Sequence, residues 1–244
     1  MCGTGLAATT DPGDLWWNPA ESGWGLQLVQ GGDVVFATLY VYDAQSRPTF
    51  YTATLASTGN GYSGDLFATS GPWFGAPDFE PASVSARKVG TFSFTPVNAT
   101  IASLQYSVDN VIVNKQVQRQ TLRFDDYSGH YIATVNRVTT SCGDAALAGE
   151  HTDTYDITIA QTGTLVTMNW NGPSSFTCRF SGTYDQAGRF GSMTTGYDCT
   201  SAENGNMSFD QLTLRSGMVA GHFQGHGLSD GCDHRGQFVA LQPF

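Results

Sequence analysis

The sequence predicts an all-β protein built from two consecutive antiparallel β-barrel or β-sandwich modules, mostly up-and-down meanders. Three observations predict it. Only 13% of the 244 residues are Asp, Glu, Lys or Arg while 29 are Gly, and with frequent Thr, Ser, Tyr and Phe this is strand-and-turn composition. Short β-patterned runs recur at intervals of roughly eight to twelve residues between glycine-rich turns, the rhythm of sandwiches and closed barrels. The texture then changes near Asp125-Asp126, where tryptophan nearly vanishes and cysteine and histidine appear. Residues 13–124 therefore read as an aromatic-rich module and 125–244 as a second one, each long enough for a small barrel.

In the first module, Trp24 to Gln30 and Asp33 to Tyr42 form β-rich runs around Gly31-Gly32, the pattern of a hairpin. A run from Pro48 to Ala56 follows the polar turn Asp43 to Arg47, and Asn60-Gly61 leads into Tyr62 to Thr69. After a loop from Ser70 to Pro81, rich in proline and aromatics, come Val84 to Thr95, Thr100 to Val108 and Val111 to Leu122, with Asp109-Asn110 as a tight turn. The second module offers Tyr131 to Asn136, Thr154 to Ala160, Leu165 to Trp170, Ser175 to Tyr184, Arg189 to Cys199, Met207 to Leu214, Met218 to Gln224 and Gln237 to Leu241.

Four cysteines lie in this second half, which suits two disulfides made in an oxidising compartment. Cys178 and Cys199 flank the turn-like Asp185-Gln186-Ala187-Gly188 at similar distances, so a hairpin brings them nearly opposite. Cys142 follows the first strand and Cys232 precedes the last, and these strands become neighbours when an antiparallel barrel closes. A Cys142–Cys232 bond would clamp that seam. A four-cysteine zinc site is the rival reading, and the absence of a C-x-x-C knuckle weighs against it.

Charge narrows the partners. The formal net charge of -10 would repel nucleic acid phosphates and anionic lipid surfaces, so no nucleic acid partner is expected. No apolar run is long enough to span a bilayer as a helix. Met1-Cys2-Gly3-Thr4-Gly5 has the look of a mature lipoprotein start in which Cys2 is acylated and residues 1–12 form a tether, and a plain free cysteine is the alternative. Membrane association is then expected only through that anchor.

The densest aromatic feature is Leu15-Trp16-Trp17-Asn18-Pro19-Ala20-Glu21-Ser22-Gly23-Trp24-Gly25. Indole buries a large apolar area and keeps one N–H donor, so each tryptophan could plug a barrel end or form a stacking platform at a pocket mouth. Residues 13–123 resemble a module of exported proteins and lipoproteins of proteobacteria marked by a W-W-N-P-x-E-S-G-W-G start, matched here at Trp16 to Gly25. The likeness continues through Gly32-Asp33, Phe36-Ala37-Thr38, Tyr42-Asp43, Pro48, Thr69-Ser70-Gly71-Pro72 with Phe74, Val89-Gly90 and Arg119-Gln120, and departs at Ser46 and Thr49-Phe50. The resemblance implies an exported β module and assigns it no ligand. The second half resembles a lipocalin- or avidin-like barrel in length, strand count and expected closure alone.

Candidate chemistry is sparse. Trp16, Trp17, Glu21, Trp24, Tyr42 and Trp73 combine aromatic faces with a carboxylate, and Asp43 sits beside Tyr42, a pattern that fits a pocket for a sugar or a cation-bearing ligand. The same residues fit a turn in which Asn18 and Glu21 satisfy backbone N–H groups. His222 and His226 share one strand face by spacing, and His234 with Asp230 or Asp233 could join them around a metal, although nearby glycines leave the register open. Gly227-Leu228-Ser229-Asp230-Gly231 matches G-x-S-x-G without the following helix that a nucleophile elbow needs. No calcium loop and no convergent carboxylate pair is nominated. The leading expectation is therefore a non-catalytic envelope protein binding a small apolar or aromatic ligand or a glycan, without a cofactor. A structural or adhesive module is the alternative, and metal binding through the histidine loop comes third.

Overall fold

The computed structural model describes residues 11–173 and 176–243. Cys2, the expected lipidation site, lies outside the described residues. The chain divides into two compact units at Gln120 and Thr121, a few residues ahead of the expected boundary at Asp125-Asp126. The physical reason is hydrogen bonding by the stretch that follows. The Thr121 hydroxyl donates to the Gln186 carbonyl at 3.0 Å and the Asp125 N–H donates to Gln186 Oε1 at 2.8 Å, which makes this stretch part of the second unit.

The first unit is a closed barrel of β1 (Asp14–Trp17), β2 (Gly25–Gly31), β3 (Val34–Tyr42), β4 (Pro48–Ser57), β5 (Tyr62–Ser70), β6 (Ser85–Pro96), β7 (Ile101–Val108) and β8 (Val111–Arg119). Every neighbour is antiparallel and sequential, as expected for a meander, with closure between β1 and β8. The sequence reading missed β1. At four residues it is too short to show alternation, and it is held by pairing on both sides, Trp16 with Leu26 and with Arg119. Asp109 and Asn110 both have positive φ, 45° and 71°, the requirement of the two-residue turn expected there. Alternation puts Leu26, Leu28, Val35, Ala37, Leu39 and Leu55 inside with Phe92, Phe94, Leu104 and Val117. Each such Leu or Phe side chain contributes about 1.5–3 kcal/mol by leaving water.

The second unit is a closed barrel of β9 (Gly129–Thr140), β10 (Gly149–Thr162), β11 (Leu165–Asn171), β12 (Thr177–Ala187), β13 (Phe190–Cys199), β14 (Asn204–Arg215), β15 (Met218–Gly227) and β16 (Asp233–Leu241). β16 pairs with β9 along its whole length, from Asp233 opposite Thr140 to Leu241 opposite Ile132. Both expected disulfides are present. Cys178 and Cys199 are register partners across the β12–β13 hairpin, and Cys142–Cys232 bridges the connections that flank the β9–β16 seam.

The two ends of this barrel differ. At one end the segment leading into β9 folds across the opening: Tyr127 is fully buried, its hydroxyl donates to the Leu212 carbonyl at 3.2 Å, and Tyr131 donates to the Tyr127 carbonyl at 3.0 Å. Tyr184 donates to Gln186 Oε1 at 2.7 Å, and the Gln186 amide donates to the Gly188 carbonyl at 2.8 Å. That end is sealed by satisfied polar groups, as buried polar atoms require. The opposite end carries the β9–β10, β11–β12, β13–β14 and β15–β16 connections together with both disulfides.

Candidate functional site

The aromatic motif of the first barrel separates into plug and turn. Trp16 is 1% exposed, donates its indole N–H to the Pro12 carbonyl at 2.8 Å and meets Phe94 edge-on with centroids 4.9 Å apart. Arg119 lies over its ring at 4.6 Å and is itself anchored to Asp14 at 2.9 Å and the Ala99 carbonyl at 2.6 Å. This corrects the expectation that Trp16 lines a binding site: its inward phase on β1 and its satisfied N–H make it a core plug.

Trp17 points to the opposite face, half-buried, with its indole nitrogen enclosed and without a partner. In the loop after β1, Asn18 Oδ1 accepts the Ala20 N–H at 3.0 Å, the role expected of a turn. The Glu21 carboxylate takes the Trp24 indole N–H at 2.9 Å and Lys115 at 2.7 Å. Hydrogen bonding to Lys115 first, and to Trp24 next, holds the Glu21 carboxyl below its usual range. Asp43 likewise forms its own turn, accepting the Gln45 and Arg47 N–H groups, each at 2.9 Å. Tyr42 and Trp73 are 57% and 68% exposed, and Trp73 packs against Phe74 at 5.6 Å. Strand direction brings Glu21, Trp24, Tyr42 and Trp73 to one end of the first barrel, while Trp16 sits inside it.

The three histidines do not converge. His222 and His226 do share the outer face of β15, as their spacing implied, and lie near Asp210 at 3.5 Å and Asp233 at 2.8 Å respectively. His234 has the inward phase on β16 and is buried, so one sheet separates it from the other two. Among the described residues no group of three or more His, Cys, Asp and Glu is placed to hold a metal ion, which overturns the metal set His222, His226 and His234. Ser229 Oγ accepts the Asn204 N–H at 3.1 Å within the β15–β16 connection, so the G-x-S-x-G match lies in an antiparallel hairpin.

The interior of the second barrel supplies a different site. A cavity of about 60 Å3 opens toward the disulfide end, lined among others by Val135, Tyr155, Trp170, Phe180, Tyr197, Met207, Phe223 and His234, one from each strand. Inward glycines make room for the rings: a Cβ on Gly236 would fall 2.6 Å from the Phe223 ring, and one on Gly205 would fall 2.8 Å from the Tyr197 ring. Trp170 is the hub, with centroids of Phe180, Tyr155 and Phe238 at 5.1, 5.6 and 5.7 Å. Such ring pairs add about 0.5–1.5 kcal/mol each beyond their buried area.

Polar groups gather above this floor. Arg137 takes the inward phase of β9 after Tyr131, Ala133 and Val135, Asp153 the inward phase of β10 before Tyr155, and Glu203 comes from the β13–β14 connection. Trp170 is 6% exposed, and both its indole nitrogen and Arg137 Nε are buried without a hydrogen-bond partner. A buried donor left in this state costs about 1–3 kcal/mol. Burial pushes the Tyr197 hydroxyl up to about 12, with Asp230 and Glu203 adding to the rise and Arg137 opposing it. Burial lowers the His234 pKa, Asp230 raises it and Arg137 lowers it further, while the ring contacts Thr139 at 3.2 Å and Asp230 at 3.4 Å.

None of these pocket residues except His234 was nominated from sequence. The available signal was a charged residue on the core phase of an alternating strand: Arg137, Asp153 and His234 all carry it, each toward the disulfide end of the barrel. The arrangement sets two unpartnered donors, Trp170 Nε1 and Arg137 Nε, among the lining residues of a ring-walled cavity. Comparison with protein-family models, curated proteins and solved structures finds no match to this chain.

Proposed function

We propose that this chain is a non-catalytic binding protein of the cell envelope. Its second barrel receives a small ligand, or the terminal group of a glycan, through the disulfide-braced end. The observation that carries the reading is the pair of enclosed, unpartnered donors, Trp170 Nε1 and Arg137 Nε, beside an aromatic cavity lined from all eight strands. Binding sites commonly combine an apolar concave wall with a few convergent polar groups. Two disulfides in this module support an oxidising, exported setting, and the resemblance of the first module to exported proteobacterial modules agrees with it.

Titration with apolar dyes, small aromatic acids and short glycans, followed by tryptophan fluorescence, tests the reading. The expected result is a saturable change that is absent in Trp170→Phe and retained in Trp73→Phe. A change that survives in Trp170→Phe places binding elsewhere and overturns it. A second reading, adhesion through the first barrel, is favoured by Phe36, Tyr40 and Phe50 on the outer faces of β3 and β4 and by Trp73 and Phe74 after β5, all exposed. Patches of this kind mark interaction surfaces. Loss of surface adhesion by the double change Trp73→Ser, Phe74→Ser would favour that reading.

A further inference from the structure

The residues around the second barrel's cavity carry both signs of charge, and that combination sorts possible ligands. Two donor-only polar groups of the cavity's lining residues, Trp170 Nε1 and Arg137 Nε, are enclosed without partners. Asp153 and Glu203 line the same cavity and bring carboxyl oxygens that accept hydrogen bonds. Among the described residues no ion pair joins Arg137 to either carboxylate, so neither sign is neutralised by the other in direct contact. They nevertheless act on common neighbours. Asp153 and Glu203 raise the Tyr155 pKa while Arg137 lowers it, within a shift that burial dominates.

We propose, building on the pocket reading above, that the occupant is a small zwitterion of the amino-acid type. Its carboxylate lies on Arg137 and Trp170, and its ammonium lies toward Asp153 and Glu203. Two donors match the two oxygens of a carboxylate, and hydrogen bonds to an ionised acceptor are the strong ones. A lone anion would approach a chain of net charge -10 against its field, and a lone cation would meet Arg137. A molecule of zero net charge avoids both penalties. Size agrees: a water needs about 10–15 Å3 of such space and a benzene-sized guest about 150 Å3, so the cavity of about 60 Å3 takes a carboxylate and the carbon bearing it.

The test follows the Trp170 indole N–H resonance of the full-length oxidised protein, assigned through Trp170→Phe, during titration with glycine, β-alanine and γ-aminobutyrate. Acetate, methylammonium and glucose serve as single-charge and neutral controls. At least one amino acid is expected to bind about tenfold more tightly than acetate and methylammonium, a conservative factor for one added charged contact. Arg137→Gln should abolish that binding, and Glu203→Gln, an exposed loop change that leaves the barrel intact, should reduce the advantage over acetate. Arg137→Lys keeps the charge and is expected to retain weakened binding if the barrel tolerates no neutral residue there. Acetate binding as tightly as every amino acid overturns the zwitterion. Glucose shifting the resonance equally in wild type and Arg137→Gln overturns the ligand class and leaves the pocket reading standing. A resonance that none of these probes moves overturns the class, and the dye and glycan titration then decides the pocket reading separately.

Discussion

Trp16 and Trp170 occupy inward positions in the two barrels and differ in one hydrogen bond. The Trp16 N–H has the Pro12 carbonyl at 2.8 Å, and the Trp170 N–H has no partner. Replacing Trp16 by Phe deletes a satisfied buried bond and orphans a carbonyl, whereas the same change at Trp170 removes a donor that was already costing free energy. Trp16→Phe is therefore expected to destabilise its barrel by about 1–2 kcal/mol more than Trp170→Phe destabilises the other, measured by denaturant unfolding with amide exchange to separate the barrels. Equal losses would contradict the assignment of Trp170 as unsatisfied. His234 gives a pH test. Burial lowers its folded pKa beneath the ordinary value of 6.5, so the fold favours the neutral ring. Its contribution is complete above pH 6.5 and is lost as pH falls through the folded value. Stability of the second barrel should decline on acidification below pH 6.5, and His234→Asn should flatten that decline. An unchanged slope in the variant would assign the acid sensitivity to other groups.

At the scale of elements, the second barrel is held at its open end by covalent bonds and at its closed end by hydrogen bonds. β9 and β16 pair along the full length of β16, and Cys142–Cys232 ties the connections just beyond them. The chain-entropy relation for separations of 90 and 21 residues gives about 4.6 kcal/mol for Cys142–Cys232 and about 3.3 kcal/mol for Cys178–Cys199. Paired Cys→Ser variants should rank in that order in urea unfolding, and a reversed order would show that local packing at Cys178 and Cys199 outweighs loop length. The hairpin bond has a further consequence for binding. Both of its cysteines line the cavity, so on the binding function proposed above its removal should also weaken ligand affinity.

At the scale of the whole molecule, both units manage their sheet edges by closure. Among the described residues each sheet returns to its first strand, leaving no unpaired edge to recruit another chain. The second unit's disulfides also give the proposed export a test. If it is exported as proposed, a thiol reagent applied to protein isolated from its native envelope under denaturing, non-reducing conditions should modify none of Cys142, Cys178, Cys199 and Cys232. Complete labelling of those four would contradict residence in an oxidising compartment.

Alternation of apolar residues and regular turn spacing are local properties, so the all-β class, the eight strands of the second unit and nearly all of the first were legible in the sequence. The disulfide pairings were legible too, because a meander that closes brings its first and last strands together and a hairpin fixes its register about the turn. β1 was not, since its four residues hold strand conformation through pairing with β2 and β8 rather than through a pattern of their own. The site was less legible still. Whether Trp16 plugs or receives depends on whether a carbonyl reaches its N–H, and that carbonyl belongs to Pro12, placed by the chain's path into β1. Which end of the second barrel stays open depends on the segment before β9 folding over the other. The sequence determined two all-β modules and the bonds that brace the second. Only the tertiary structure brought Arg137, Trp170, Asp153 and Glu203 around one cavity, because their convergence comes from closing eight strands and no stretch of neighbouring residues encodes it.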